Sequence, residues 1–131
     1  MPWYHDLDLA ARGAEYIEPE LNVAMLTRDG RALEWWTDFE RTAESFKVFD
    51  ADDAATLRRW HDDFIPIVEN ILMWESRSPP LPAHERRALI ERSAMGRKLL
   101  EASALSPLEF VQREFKNPVI QAGLLFFNGL R

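Results

Sequence analysis

The sequence contains no cysteine among its 131 residues. Disulfides, thiolate zinc sites and cysteine nucleophiles are therefore excluded. Its five glycines, at 13, 30, 96, 123 and 129, are too scattered to form G-x-G-x-x-G or G-x-x-x-x-G-K-S/T. The chain thus has no recognisable dinucleotide or nucleotide phosphate cradle of its own. Positive charge is in deficit, with 16 Lys and Arg against 22 Asp and Glu, for a net charge of −6. This balance removes the attraction on which non-specific binding to nucleic acid or anionic lipid depends. No apolar run approaches the ~20 residues of a membrane-spanning helix. The start, Met1-Pro2-Trp3-Tyr4-His5-Asp6, lacks a basic stretch followed by an apolar one, so no signal peptide is visible. The expectation is a soluble, cytoplasmic protein with no nucleic-acid partner and no membrane span. No serine sits in a G-x-S-x-G elbow, and there is no internal repeat.

What is present suits one globular domain over residues 1–131. Hydrophobic residues make up 47% of the chain and charged residues 29%, and five Trp and eight Phe need burial. The most apolar stretch is Val119 to Phe127, where only Gln121 is polar. A helix apolar on every side must be covered, here by earlier residues or by something outside the chain.

Local patterns give the element order. Val23 to Thr27 and Ala32 to Thr37 flank Asp29-Gly30, a pair that tolerates the positive φ values of a tight I′ turn, so a β-hairpin is expected at about 22–37. A lone hairpin is marginal in water and must pack on helices or join a sheet supplied from elsewhere. Asp38 can cap a helix from Phe39 to Phe46, and Asp50 the next, with Asp52 and Asp53 in its first turn. Leu57, Trp60, Phe64, Ile67, Ile71 and Trp74 then recur at intervals of three and four, the stripe of an amphipathic helix, and their simplest role is core packing. Pro66 lies inside that pattern and predicts a kink or two helices. Residues 76–82, SRSPPLP, read as a linker. Helical composition resumes at Ala83, and Gly96 marks either a break or a close helix contact. Ser106-Pro107-Leu108-Glu109 is a capping box with proline at the first helical position. Asn117-Pro118 repeats that start for the last helix, and Asn128-Gly129 offers a left-handed cap for its end. The fold class expected is α+β, mostly α: one hairpin near the N-terminus, then a bundle of five to six helices over 38–131.

Candidate chemical motifs are sparse. Asp50-Ala51-Asp52-Asp53 lacks the glycine and the bidentate glutamate of a calcium loop, so helix capping explains it better. His84-Glu85 has Ala88 where a zincin needs its second histidine. His61-Asp62-Asp63 could supply a base or a ligand pair, but adjacent helix positions do not face each other, which favours a solvated flank. No catalytic or metal-binding residue is assigned. Apolar clusters remain as candidate ligand-lining residues: Trp35 or Trp36 on the hairpin, Ile67, Ile71 and Trp74 on the stripe, and Leu124, Phe126 and Phe127 at the end. Alternation along a strand allows at most one of the two tryptophans to face a given pocket.

Taken in order, the hairpin with Asp29-Gly30, the run Thr37-Asp38-Phe39-Glu40-Arg41-Thr42, Phe49-Asp50 with Asp52-Asp53-Ala54, and Leu108-Glu109-Phe110 with Phe115, Pro118 and Ala122 resemble an internal region of phytoene-desaturase-like oxidoreductases. These are FAD- and NAD(P)-related flavoproteins of the amine-oxidase-like superfamily. The resemblance implies part of the substrate-covering domain of such an enzyme, without either flavin-binding portion. It further implies that FAD belongs to the parent protein, that the chain alone is not catalytic, and that its partner is the FAD-binding portion. The alternative expectation is a free-standing helical interaction module that self-associates through its apolar terminal helix or an exposed strand edge. An apolar small molecule is a possible ligand in either case.

Overall fold

The computed structural model describes residues 2–128. A short helix, α1 (Pro2–Asp6), opens the chain, and the Tyr4 hydroxyl donates to the Ala14 carbonyl at 2.7 Å. Strands β1 (Leu21–Leu26) and β2 (Ala32–Trp36) then form an antiparallel hairpin. After it come α2 (Phe39–Lys47), α3 (Ala51–Ile67), a π-helical turn (Val68–Leu72) and α4 (Met73–Glu75). The Pro-rich connection precedes α5 (Ala83–Ile90), α6 (Ala94–Ser103), α7 (Pro107–Glu114) and α8 (Pro118–Asn128). The fold is the expected hairpin followed by helices. Seven α-helices follow it among the described residues, because the stripe helix divides at the π turn and Ser93 starts α6 afresh.

The hairpin closes differently from the tight turn that Asp-Gly suggests. Gly30 alone in the loop takes a positive φ, at 85°. Its N–H donates to Thr27 C=O at 3.1 Å, and Thr27 N–H donates to Arg31 C=O at 2.9 Å, the pattern of a type I turn closed by a glycine bulge. Asp29 favours this geometry by accepting from the Arg31 backbone N–H (3.2 Å) and from its Nε (2.8 Å). Hydrogen bonds from Arg31 and Thr27 hold the Asp29 carboxyl far below its ordinary range.

The hairpin is made viable by α2. Asp38 Oδ1 starts that helix by accepting from the N–H groups of Glu40 (2.8 Å) and Arg41 (3.4 Å). Buried Thr42 and Ser45 then face β2, where the Thr42 hydroxyl accepts from Trp36 N–H and the Ser45 hydroxyl from Glu34 N–H, both at 2.8 Å. Side chains of α2 thus occupy the edge of β2 that a third strand would otherwise need. Among the described residues neither outer edge of this two-stranded sheet has a strand partner, and that of β2 is the one met by these α2 side chains.

Asp50 caps α3 through the N–H groups of Asp52 (2.9 Å) and Asp53 (3.0 Å). Asp53, only 1% exposed, has a second task. Its carboxylate accepts from Lys116 N–H at 2.9 and 3.1 Å and from Asn117 N–H at 2.8 Å. Asn117 in turn donates through Nδ2 to Phe49 C=O (3.1 Å), while its Oδ1 accepts from Val119 N–H (2.9 Å) to start α8. The junction of α7 and α8 is therefore tied to the start of α3. The capping box of α7 is formed as expected, with Ser106 and Glu109 bonding reciprocally.

Pro66 does not end α3, although its missing N–H interrupts the ladder. The bonding widens to π geometry from Val68, and Asn70 Nδ2 donates to Pro66 C=O at 2.8 Å. Gly96 proves to be a close helix contact, since a Cβ there would stand 1.8 Å from the Ile90 carbonyl oxygen. The main buried cluster comprises Leu33, Phe46, Ala54, Phe115 and Ile120. The inner face of α8 is covered by the hairpin: a Cβ on Gly123 would lie 2.7 Å from Trp35 Cη2 and 2.8 Å from Leu33 Cδ2. Earlier residues of the chain supply that cover. Gly129, and with it the expected left-handed cap, lies outside the described residues.

Candidate functional site

Between the hairpin, α2, α3 and the last two helices lies an open pocket of about 630 Å³, within the range of about 300–1,000 Å³ typical of small-molecule sites. Its walls are mainly aromatic. From β2 come Trp35 and Trp36, and from α2 Phe39. Helix α3 contributes Leu57, Trp60, His61 and Phe64. Ala102 of α6, Phe110 and Val111 of α7, Phe115 beyond it, and Leu124 and Phe127 of α8 complete the apolar wall.

The rings are held by one another and by polar anchors. Trp35 stacks on Phe127 with centroids 5.7 Å apart and planes at 10°, and meets Phe46 edge-on at 5.7 Å. Trp36 Nε1 donates to Glu34 at 2.9 Å, and the Arg41 guanidinium lies 3.3 Å from its ring centroid. Trp60 packs against Phe64 and Phe110, each at 4.6 Å, while its Nε1 donates to Glu114 at 3.1 Å. Burial pushes the Glu114 carboxyl up, but hydrogen bonds from Arg59, Arg113 and Trp60 outweigh it and hold the group below its ordinary range. His61 stacks on Phe39 with centroids 3.7 Å apart.

Four of the eight residues singled out from the sequence meet here: Trp35, Trp36, Leu124 and Phe127. That both tryptophans reach one pocket departs from simple alternation. The pairing register shifts between Leu21 and Val23, opposite Trp36 and Trp35, and such an irregularity re-aims neighbouring side chains. The other four lie elsewhere. Ile67 is fully buried core and offers no surface to a ligand. Ile71 is half-buried on the π turn. Trp74, 71% exposed, borders a separate groove of about 550 Å³ with Leu81 and Leu89, and Phe126 on the outer face of α8 is 58% exposed. The π turn carries the end of the stripe away from the pocket.

Sequence reasoning missed Phe39, His61 and Phe110, and it took Trp60 and Phe64 for core alone. The available signal was the Leu57, Trp60, Phe64 spacing, which places these three on one face. His61, read as part of a solvated flank, instead forms part of the wall.

The residues present do not fit a flavin or nicotinamide dinucleotide. Gly13 and Gly30, the glycines with positive φ among the described residues, sit in turns and not between a strand and a helix start. The pocket wall is apolar, without a cradle of backbone donors for a pyrophosphate. No cluster of three or more His, Asp or Glu suited to a metal occurs among the described residues, and no helix there is long and apolar enough to cross a membrane.

Comparison with known proteins adds one relationship. The chain is similar to a limonene dehydrogenase subunit from Castellaniella defragrans. The two are 29% identical over 126 residues, which is 95% of this chain and 23% of that subunit. The chain therefore spans about a quarter of the length of this curated relative and corresponds to a segment of a dehydrogenase subunit. No family model and no solved structure matches it.

Proposed function

We propose that this chain is the substrate-binding segment of a flavin-dependent oxidoreductase of the phytoene-desaturase-like kind, forming one wall of the site that holds an apolar substrate. The observation that carries the reading is the pocket of about 630 Å³, lined mainly by aromatic and aliphatic side chains from six elements. A substrate cap needs such a wall more than it needs acids or nucleophiles. The similarity to part of a dehydrogenase subunit supports the same assignment.

On this reading FAD binds to other parts of the parent protein, because the cofactor carries the redox chemistry and these residues do not fit it. The chain alone is inactive and works in the cytoplasm against the FAD-binding portion. Substrate-lining roles fall to Trp35, Trp36, Leu124 and Phe127, with Trp60 and Phe110 added. The exposed groove at Trp74, Leu81 and Leu89 is a surface for docking the rest of the enzyme.

The test uses the protein encoded by the whole reading frame that contains these residues. Trp35→Ala and Phe127→Ala should each weaken substrate affinity while flavin absorbance per protein stays constant. Loss of flavin with substrate affinity intact would refute the assignment.

A further inference from the structure

We propose that Glu114 is a positioning residue of the apolar pocket: by accepting from Trp60 Nε1 it selects the orientation in which the indole forms the wall between this pocket and a neighbouring charged recess. The inference rests on the reading of the pocket as a substrate site and names a residue that sets its shape without lining it.

The recess, of about 180 Å³, is bordered by Arg59, Lys98, Glu101, Arg113 and Glu114. Trp60 and Ala102 are the residues that line both cavities. Alanine offers only a methyl group, so the indole supplies most of the partition. Its ring packs against Phe64 and Phe110, both pocket residues, with centroids at 4.6 Å. Its Nε1 donates at 3.1 Å to Oε2 of Glu114, a residue of the recess. One ring thus meets the apolar side by packing and the charged side by its N–H.

Packing alone leaves the orientation of that ring undecided. Rotation of an indole about its bond to Cβ is broad and roughly two-fold, and half a turn would carry its single donor away from Glu114. The carboxylate decides between the two states. It is itself well held: the Glu114 side chain is 13% exposed, its Oε2 also accepts from Arg59 Nη2 at 3.0 Å, and its Oε1 accepts from Arg113 Nε at 2.8 Å. Trp36 differs, since its indole donates to Glu34, two positions back on its own strand. The anchor of Trp60 comes from the last residue of α7, 54 positions away in the chain, so the bond ties α7 to α3 across the site.

Toluene is the probe. It is titrated into the 131-residue chain and into Glu114→Leu, Trp60→Phe and the double variant, with affinity read by NMR from the indole NH signals of Trp35 and Trp36. Glu114→Leu should bind about two- to tenfold more weakly, because an indole freed to turn must be ordered again on binding. Trp60→Phe has no N–H to hold, so adding Glu114→Leu to it should change affinity less than about twofold. Glu114→Gln keeps an acceptor for the indole and leaves Arg113 with Glu101 at 4.0 Å, so it should bind within about twofold of the wild type. A loss of affinity that persists in the Trp60→Phe background marks a general structural role and overturns the proposal, as does unchanged affinity in Glu114→Leu. Both results leave the pocket assignment standing, which fails instead if toluene does not bind the wild-type chain. Should Glu114→Leu or Trp60→Phe not fold, Glu114→Asp, which withdraws the carboxylate by one methylene, decides the matter: it should bind toluene more weakly than Glu114→Gln, and equal or tighter binding refutes the proposal.

Discussion

Replacing Asp53 with alanine should be among the most damaging single changes to this chain, although the residue touches no ligand. Its carboxylate accepts from two backbone N–H groups, Lys116 and Asn117, at 2.8–3.1 Å and at 1% exposure. Hydrogen bonds to a charged acceptor contribute about 1.5–3 kcal/mol each, and donors left buried without a partner cost about 1–3 kcal/mol. These overlap, because the same two donors are involved, and relaxation of the turn recovers part of the loss. A net destabilisation of about 3 kcal/mol follows. At about 3–5 °C per kcal/mol for a domain of this size, Tm should fall by about 10 °C. Asp52, one position earlier, supplies the control. Its side chain is 80% exposed and reaches Lys116 Nζ only at 3.4 Å, so Asp52→Ala should change stability by less than about 0.5 kcal/mol. Urea denaturation of both variants, read by far-UV circular dichroism, gives the comparison. Near-UV circular dichroism should also change in Asp53→Ala, because the clamp positions α8 and therefore the Trp35–Phe127 stack. Equal stability of the two variants would refute the clamp.

Three further outcomes are expected. Gly96→Ala should destabilise by more than about 2 kcal/mol, despite the better helix propensity of alanine, because its Cβ would stand 1.8 Å from a backbone oxygen that cannot move aside. Chemical denaturation checks this. Gly123→Ala meets only side-chain atoms, Trp35 Cη2 and Leu33 Cδ2, so it should cost about 1 kcal/mol net and shift the Trp35 indole signal in NMR spectra. Glu114 has a carboxyl held below its ordinary value of 4.5, so its stabilisation is complete above that pH and is lost as pH falls through the lower folded-state value. Glu114→Gln should therefore flatten the decline in stability below about pH 4.5 relative to the wild type, as followed by thermal melts across an acid pH series.

Local elements were legible in the sequence because their causes are local. Asp38, Asp50, Ser106 and Asn117 cap helices where a short polar side chain meets the free N–H groups a few residues on. The hairpin was legible from Asp29-Gly30, although not its turn type, which depends on Asp29 bonding to Arg31. The site was legible only in part. Trp35, Trp36, Leu124 and Phe127 stood out as large apolar residues, but the pocket joins elements that lie up to 92 positions apart in the chain, from Trp35 to Phe127. Nothing in a 3.6-residue period distinguishes Ile67, which ends in the core, from Phe64, which ends on the wall. Asp53 illustrates the same limit: its place in the first turn of α3 was clear, but its hold on Lys116 and Asn117 requires the tertiary fold.

The tryptophans provide the most direct test of the apolar site, because three of the five, Trp35, Trp36 and Trp60, line the pocket, whereas Trp3 and Trp74 do not. Titrating toluene into the ¹⁵N-labelled chain should move the indole signals of Trp35, Trp36 and Trp60 saturably and together, with Trp3 unmoved and Trp74 unmoved or shifting with a different dependence. Uniform drift of all five signals, or movement confined to Trp74, would contradict the assignment of this pocket as the substrate wall.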